Sequence, residues 1–277
     1  MADVLDTTET FEAYARKAFL EAPTTREQLW ATQYEAAHAD VFEAFYARAG
    51  DRRGISAVVR ELSDVRTRVR LAGPAVRAAV DEVEAVVRDL LGVAAVPAPV
   101  HVLLVGPYST NAVVGRLGDA IAVFHCLEWF APGQATAVLV AHEVAHAWHE
   151  LSLGEAGPEE DTAWVAFSEG LAIQASRRAR PGQLDDDYFW YGHAGFEDWL
   201  SWCGERKDEL VERFAAELDV VGSAETWFGS GLVDGKWRVG YFVADQLVAG
   251  MNRTLPELVA MDPAGGRAAI RAALGLG

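Results

Sequence analysis

His142, Glu143 and His146 are the residues of this chain best placed to do chemistry. They form His-Glu-Val-Ala-His over positions 142–146, with two imidazoles four residues apart and a carboxyl beside the first. On an α-helix, positions i and i+4 share a face, so both imidazoles reach one divalent ion. Glu143 then stands next to the open coordination position, where it can take a proton from an attacking water.

Such a constellation needs a helix to carry it. The run from Pro132 through Gly133, Gln134 and Ala135 leads in, and Pro132 suits a first helical position. Alanine, leucine and valine then continue without a breaker to Gly154, which reads as a stop. A span so apolar on most faces predicts a helix inside a domain. Two histidines and a glutamate buried there without partners would be costly, and a metal ion supplies the partners.

A catalytic zinc site also needs a third protein ligand, with the fourth position left for water. Glu169, in Phe167-Ser168-Glu169-Gly170-Leu171-Ala172, follows His146 after 22 residues. That interval lets the first helix end, the loop 154–158 reverse the chain and a second helix begin. The second helix opens at Glu159-Glu160-Asp161 and closes at Arg177-Arg178-Ala179-Arg180-Pro181, acids first and arginines last, matching the helix dipole. Glu169 falls mid-helix among apolar neighbours, where an ionised carboxylate wants a partner. His149 lies two turns beyond His142, about 10 Å along the axis, too far to share an ion, and is read as a packing residue.

His142-Glu143-x-x-His146 followed on the next helix by Glu169-Gly170-Leu171-Ala172 resembles the gluzincin zinc metallopeptidases, in particular their minimal bacterial predicted proteases of unknown substrate. The resemblance covers about residues 118–180. It implies a zincin-like core, one Zn2+ held by His142, His146 and Glu169, and Glu143 as general base. The spacing to Glu169 is longer than in thermolysin-like enzymes, and the family's Asn-Ala signature is not evident. A weaker echo, Arg238-Val239-Gly240-Tyr241, is similar to the late Gly-Tyr of such enzymes, whose phenol can stabilise an oxyanion; this makes Tyr241 a candidate catalytic residue. His193 is a second candidate donor. The resemblance also implies that the last strand before the active helix, residues 119–125, is a sheet edge that pairs with an extended peptide.

The elements that must position these residues read as α+β, mostly helical. Strands are expected at Val100–Val105, Asn111–Arg116 and Asp119–His125. The first 95 residues read as helices, starting at Thr7 or Thr8, with Thr24-Thr25 as a cap for the next, Gly50 and Gly54 as separators, and Gly73-Pro74 as a restart. Arg66, Arg68 and Arg70 could suggest a phosphate patch, but this region holds 12 basic and 16 acidic residues and a solvated face is the better reading. The region after Asp185 again reads as helical, with its aromatics as core. Three parts are expected: a helical region 1–96, a zincin-like core 97–180 and a helical lobe 181–277.

Composition sets the outer limits. An apolar fraction of 51% in 277 residues supports a sizeable core. A net charge of −17 argues against nucleic acid and anionic membrane partners. Residues 150–219 alone carry 17 acidic and 6 basic side chains, a rim that could favour basic groups of a peptide or simply serve solubility. Two cysteines without CxxC spacing make no disulfide scaffold, and neither a signal-peptide pattern nor a transmembrane run is present. The expectation is a cytoplasmic zinc hydrolase acting on a peptide or small protein. An inactive zincin-like scaffold and a zinc amidase on a non-peptide substrate are the alternatives.

Overall fold

The computed structural model describes residues 2–50, 52–93, 97–130, 135–154 and 156–276. In chain order it contains β1 (Asp3–Asp6), α1 (Thr8–Ala18), α2 (Pro23–Leu29), α3 (Ala39–Ala49), α4 (Ile55–Arg60), α5 (Leu62–Leu91), β2 (Val100–Leu104), β3 (Ala112–Leu117), β4 (Ala120–Cys126) and α6 (Thr136–Leu153). There follow α7 (Thr162–Ala179), α8 (Asp187–Trp190), α9 (Trp199–Glu205), α10 (Lys207–Glu217), α11 (Ser223–Phe228), β5 (Leu232–Val233), β6 (Lys236–Trp237), α12 (Val239–Gly250), α13 (Leu255–Val259) and α14 (Pro263–Ala273). The α+β, mostly helical expectation is met. Contacts group the chain into two compact units, Met1–Ala85 with Pro97–Ala147 and Val86–Val96 with Trp148–Gly277. The division falls within α5 and within α6.

In the first unit the sheet order is β1-β2-β4-β3. Strands β1, β2 and β4 are parallel, and β3 returns antiparallel to β4. Two expectations are corrected here. The first residues are not all helical, because Asp3–Asp6 adds a strand alongside Val100–Leu103. Strand β4, covering the predicted 119–125, is not an edge, since β2 pairs on one side and β3 on the other. Its backbone groups are therefore spent within the sheet, and the edges are β1 and β3. The near-continuous burial of β2 and β4 is what a parallel sheet covered on both faces requires.

The helices around this sheet show where packing overrides local signals. Helix α5 runs unbroken through Gly73-Pro74, which is not a restart. Val69, Ala72, Val76, Ala79, Val80 and Val83 form one buried stripe across that point, and the stripe outweighs the single hydrogen bond that proline removes. Thr24 and Thr25 lie inside α2 rather than capping it, because Pro23 occupies its first turn. Thr7 precedes α1 without capping it. Its hydroxyl bonds the Leu103 carbonyl at 2.9 Å and the Tyr34 hydroxyl at 2.8 Å, while the Tyr34 oxygen accepts from the Val105 amide at 2.8 Å. Phe11, Tyr14, Trp30 and Tyr34 pack around that network, mostly edge to face. Arg66 and Arg70 pair with Glu12, and Arg68 with Glu61, as a solvated face would.

The loop after β2 is tied to the end of β4 by Glu128, whose carboxylate is fully buried. It accepts from the amides of Gly106 at 2.8 Å and Tyr108 at 3.2 Å. Tyr108 takes up φ 57°, which turns its amide inward. Burial pushes the Glu128 carboxyl up to about 7, against the lowering pull of those amides and of Arg68.

In the second unit, α7 lies against α12 and α14. A Cβ on Gly170 would stand 2.4 Å from Val248 Cγ2 and 2.6 Å from the Ala244 carbonyl, so only glycine lets α7 and α12 approach this closely. Asp245 of α12 ties the pair together, accepting from Gln174 at 2.7 Å and pairing with Arg177. Asp161 caps α7 by accepting from the Trp164 amide at 3.0 Å, as the acids ahead of that helix predict. Of the aromatics after Asp185, Tyr188, Phe189, Trp190, Tyr191 and Trp199 are buried as core. The β5–β6 hairpin was not foreseen. No helix among the described residues is long and apolar enough to cross a membrane.

Two outcomes follow from this packing. The folded pKa of Glu128 lies above its ordinary 4.5, so its contribution is fully present below about 4.5 and is lost as pH rises through about 7. Glu128→Gln keeps an acceptor but cannot ionise. Its stability relative to wild type should climb by about 2–3 kcal/mol between pH 5 and 8, and parallel denaturation curves across that range would remove the assignment. Gly170→Ala should cost about 1–3 kcal/mol and lower the melting midpoint by about 3–10 °C through overpacking. Gly204→Ala in α9, where a Cβ meets nothing within 4 Å, should leave the midpoint unchanged or higher; equal effects would refute the close-approach argument.

Candidate metal centre

Helix α6 is buried nearly all round. Val138, Leu139, Val140, Ala141, Val144, Ala145, Ala147 and Trp148 are each at most 1% exposed, as the apolar run predicts. Its expected start at Pro132 lies outside the described residues, and the helix is described from Thr136. It stops at Leu153, where Gly154 at φ 80° bonds back to the Glu150 carbonyl at 2.9 Å.

One turn apart on this helix, His142 and His146 turn their Nε2 atoms toward each other at 3.1 Å. Two nitrogens bound about 2.05 Å from a tetrahedral ion stand about 3.3 Å apart, so the pair is spaced as two ligands of one ion would be. Glu169, halfway along α7, supplies the third atom. The ligand atoms of His142, His146 and Glu169 all lie within 4.8 Å of one another, and His142 is buried while the other two are half-buried. This is the only such group of three among the described residues. Two imidazoles and a carboxylate form a donor set suited to zinc.

Glu143 is 8% exposed. Its charge reaches Cys126 at the end of β4, where burial first, then Glu128 and Glu143, push the thiol well up. That cysteine is accordingly a protonated core residue beside the candidate base, not a nucleophile. His149 is a packing residue as expected, its Nε2 3.3 Å from the Met261 carbonyl and its ring 5.2 Å from Trp164.

The second unit gathers a group around Glu169 that the sequence reading largely missed. Arg238, at φ 57°, precedes α12 and lays its guanidinium 4.0 Å over the Tyr241 ring, with Trp190 at 5.4 Å and Tyr191 at 5.7 Å. It also hydrogen-bonds Tyr191 and lies within the field of Glu169. Burial pulls the guanidinium down, and Tyr241, Tyr191 and Glu169 more than reverse this, holding it above its ordinary value. Both candidate oxyanion donors belong to this group. Tyr241 is half-buried beneath Arg238, and His193 feels burial and then Arg238, which lower its pKa and keep the ring neutral at neutral pH. Gly240, read as part of a Gly-Tyr signature, has a packing role. A Cβ there would stand 2.7 Å from the Trp227 carbonyl and 2.8 Å from the Phe228 ring. The only sequence sign of Arg238 was its place in the 238–241 echo, because a left-handed arginine leaves no compositional trace.

Comparison with protein-family models, with curated proteins and with solved structures finds no match to this chain.

Proposed function

We propose that the chain is a zinc-dependent hydrolase that cleaves peptide bonds, a metallopeptidase of the gluzincin kind. The observation that carries this reading is the convergence of His142, His146 and Glu169 on one point, with Glu143 on the same helix as the two histidines. One zinc per chain, a peptide or small protein as substrate, and a cytoplasmic site of action complete it. The free, buried Cys126 and Cys203 are in keeping with a reducing compartment.

When bound, zinc would polarise the scissile carbonyl and acidify the attacking water. The remaining work falls to the chain. His142, His146 and Glu169 would hold the ion. Glu143 accepts the proton of the attacking water and returns it to the leaving nitrogen, so one carboxylate serves as base and then acid. Its near-complete burial keeps it short of competing solvent and strengthens its electrostatic coupling to the reacting atoms. The Tyr241 phenol donates to the oxygen on which negative charge develops.

Elemental analysis of protein purified without chelator tests the metal. Wild type should carry about one zinc per chain, and His146→Ala and Glu169→Ala should each lose most of it. Glu143→Gln should keep the zinc and lose about 10²–10⁴-fold of turnover on a casein digest. Wild type that takes up no metal when zinc is added would leave a zincin-like scaffold in place of an enzyme. Zinc uptake with hydrolysis of small amides but not peptides would move the substrate class.

A further inference from the structure

Arg238 is an arginine held at conformational cost with no carboxylate in ion-pair contact among the described residues, Glu169 acting on it only through its field. Its backbone is left-handed, and so is that of Tyr191, whose side chain it bonds; both are non-glycine residues, for which this region is uncommon and strained. Two such residues meeting at one cation mark a place where the surrounding structure enforces an arrangement. The guanidinium lies within cation–π distance of three rings, which attract a cation without neutralising it, and its five N–H donors exceed the one bond to Tyr191. Among the described residues Arg238 forms no ion pair with a carboxylate, although Arg66, Arg177, Arg213 and Arg271 each do. Trp190, one of the rings around it and braced by Phe196 at 3.5 Å, adds a buried indole Nε1–H with no acceptor among the described residues. A buried donor without an acceptor thus lies close to a half-buried guanidinium that has no carboxylate in ion-pair contact.

From this arrangement we infer that Arg238 is a specificity residue that receives a carboxylate of the substrate, so that the enzyme prefers peptides with an anionic group close to the scissile bond. The inference rests on the peptidase reading for the word substrate, and on Arg238 itself for the binding. A planar carboxylate matches the fork with two parallel hydrogen bonds. Tyr191, Tyr241 and His193 also couple to Arg238; His193 is held neutral at neutral pH by burial and by that arginine, and does not compete as a cation. The exposed face of the β5–β6 hairpin, with Trp237 opposite Leu232 and leading directly into Arg238, provides an apolar wall for the side chain next to that carboxylate.

The carboxylate has two sources, the peptide's C-terminus or an acidic side chain. Calorimetric titration separates them with N-acetyl-dialanine, its C-terminal amide, and an amide in which the last residue has a glutamyl side chain. Each is titrated into the full chain loaded with zinc and again after treatment with chelator. The free acid should bind wild type about tenfold more tightly than its amide in both preparations. Recovery of that affinity by the glutamyl amide would assign the side chain as the source. Arg238→Asn should abolish the preference, because asparagine tolerates the left-handed backbone while removing the fork. Arg238→Lys should retain only part of it. In a turnover assay the variant should lose the KM advantage of the free acid over its amide.

Equal binding of acid and amide to wild type, no binding of any of the three, or tighter binding of inorganic phosphate than of the acid would each overturn the inference. So would a preference that survives in Arg238→Asn. The wild-type comparison needs no variant, so a substitution that unfolds the chain does not rescue the idea. A preference that persists without any turnover would end the peptidase reading while leaving the carboxylate site. Turnover indifferent to the terminal charge would do the reverse.

Discussion

A charged or strongly polar side chain on a helix with little exposed face must find partners inside the protein, and α6 carries His142, Glu143 and His146 in that position. Desolvation of an ionised carboxylate or imidazolium costs several kcal/mol even after relaxation, so such groups persist only where coordination or hydrogen bonding replaces water. The rest of the architecture can be read as satisfying that demand. Parallel strands buried on both faces bring Cys126 beside Glu143, and Glu128 closes the loop above β4 with backbone amides instead of solvent. Halfway along α7, Glu169 adds a carboxylate to the two imidazoles. A glycine directly after it lets α7 press against α12.

The same logic recurs within the first unit, away from the candidate centre. His101 and His125, on adjacent strands, stack with their rings 5.4 Å apart and share a 3.1 Å hydrogen bond, while His101 meets Glu84 at 3.0 Å. With Glu84 accepting from His101 Nε2, the other nitrogen of His101 must accept from His125, so one buried carboxylate orders two tautomers in sequence. Burial, with the neighbouring His101, keeps the His125 pKa well below its ordinary value and the ring neutral. Such chains specify strand register as well as stability, because a slip of one residue would strand every member without a partner.

Strain marks a second kind of constraint. The left-handed backbones of Tyr191 and Arg238 are not needed to turn the chain cheaply, for which glycine or asparagine would serve. They are compensated by ring stacking around the guanidinium and by the buried aromatic core formed by Phe189, Trp190 and Trp199. A cation whose field reaches Glu169 also contributes positive potential in a unit where residues 150–219 carry 17 acidic and 6 basic side chains, which matters for any anionic group that approaches.

Residue order by itself determined the pairing of His142 with His146, the helix that carries them, its stop at Gly154, the acid-capped helix of Glu169 and the strands around residues 100–126. All of these depend on short-range spacing, hydrophobic periodicity and local hydrogen bonding, which are written directly in neighbouring residues. Tertiary structure alone decided that the strand Ala120–Cys126 is interior. It has partners on both sides because β2 pairs along one flank and β3 folds back on the other, while Asp3–Asp6, over ninety residues earlier, extends the sheet beyond β2. It also decided that α5 continues through Pro74, because a buried stripe spanning both sides of the proline outweighs one missing hydrogen bond. Arg238 belongs to the same class. Tyr241, one turn on in the helix that Arg238 precedes, is a local neighbour, but Trp190 and Tyr191 come to the same guanidinium from nearly fifty residues earlier, which only tertiary packing can arrange.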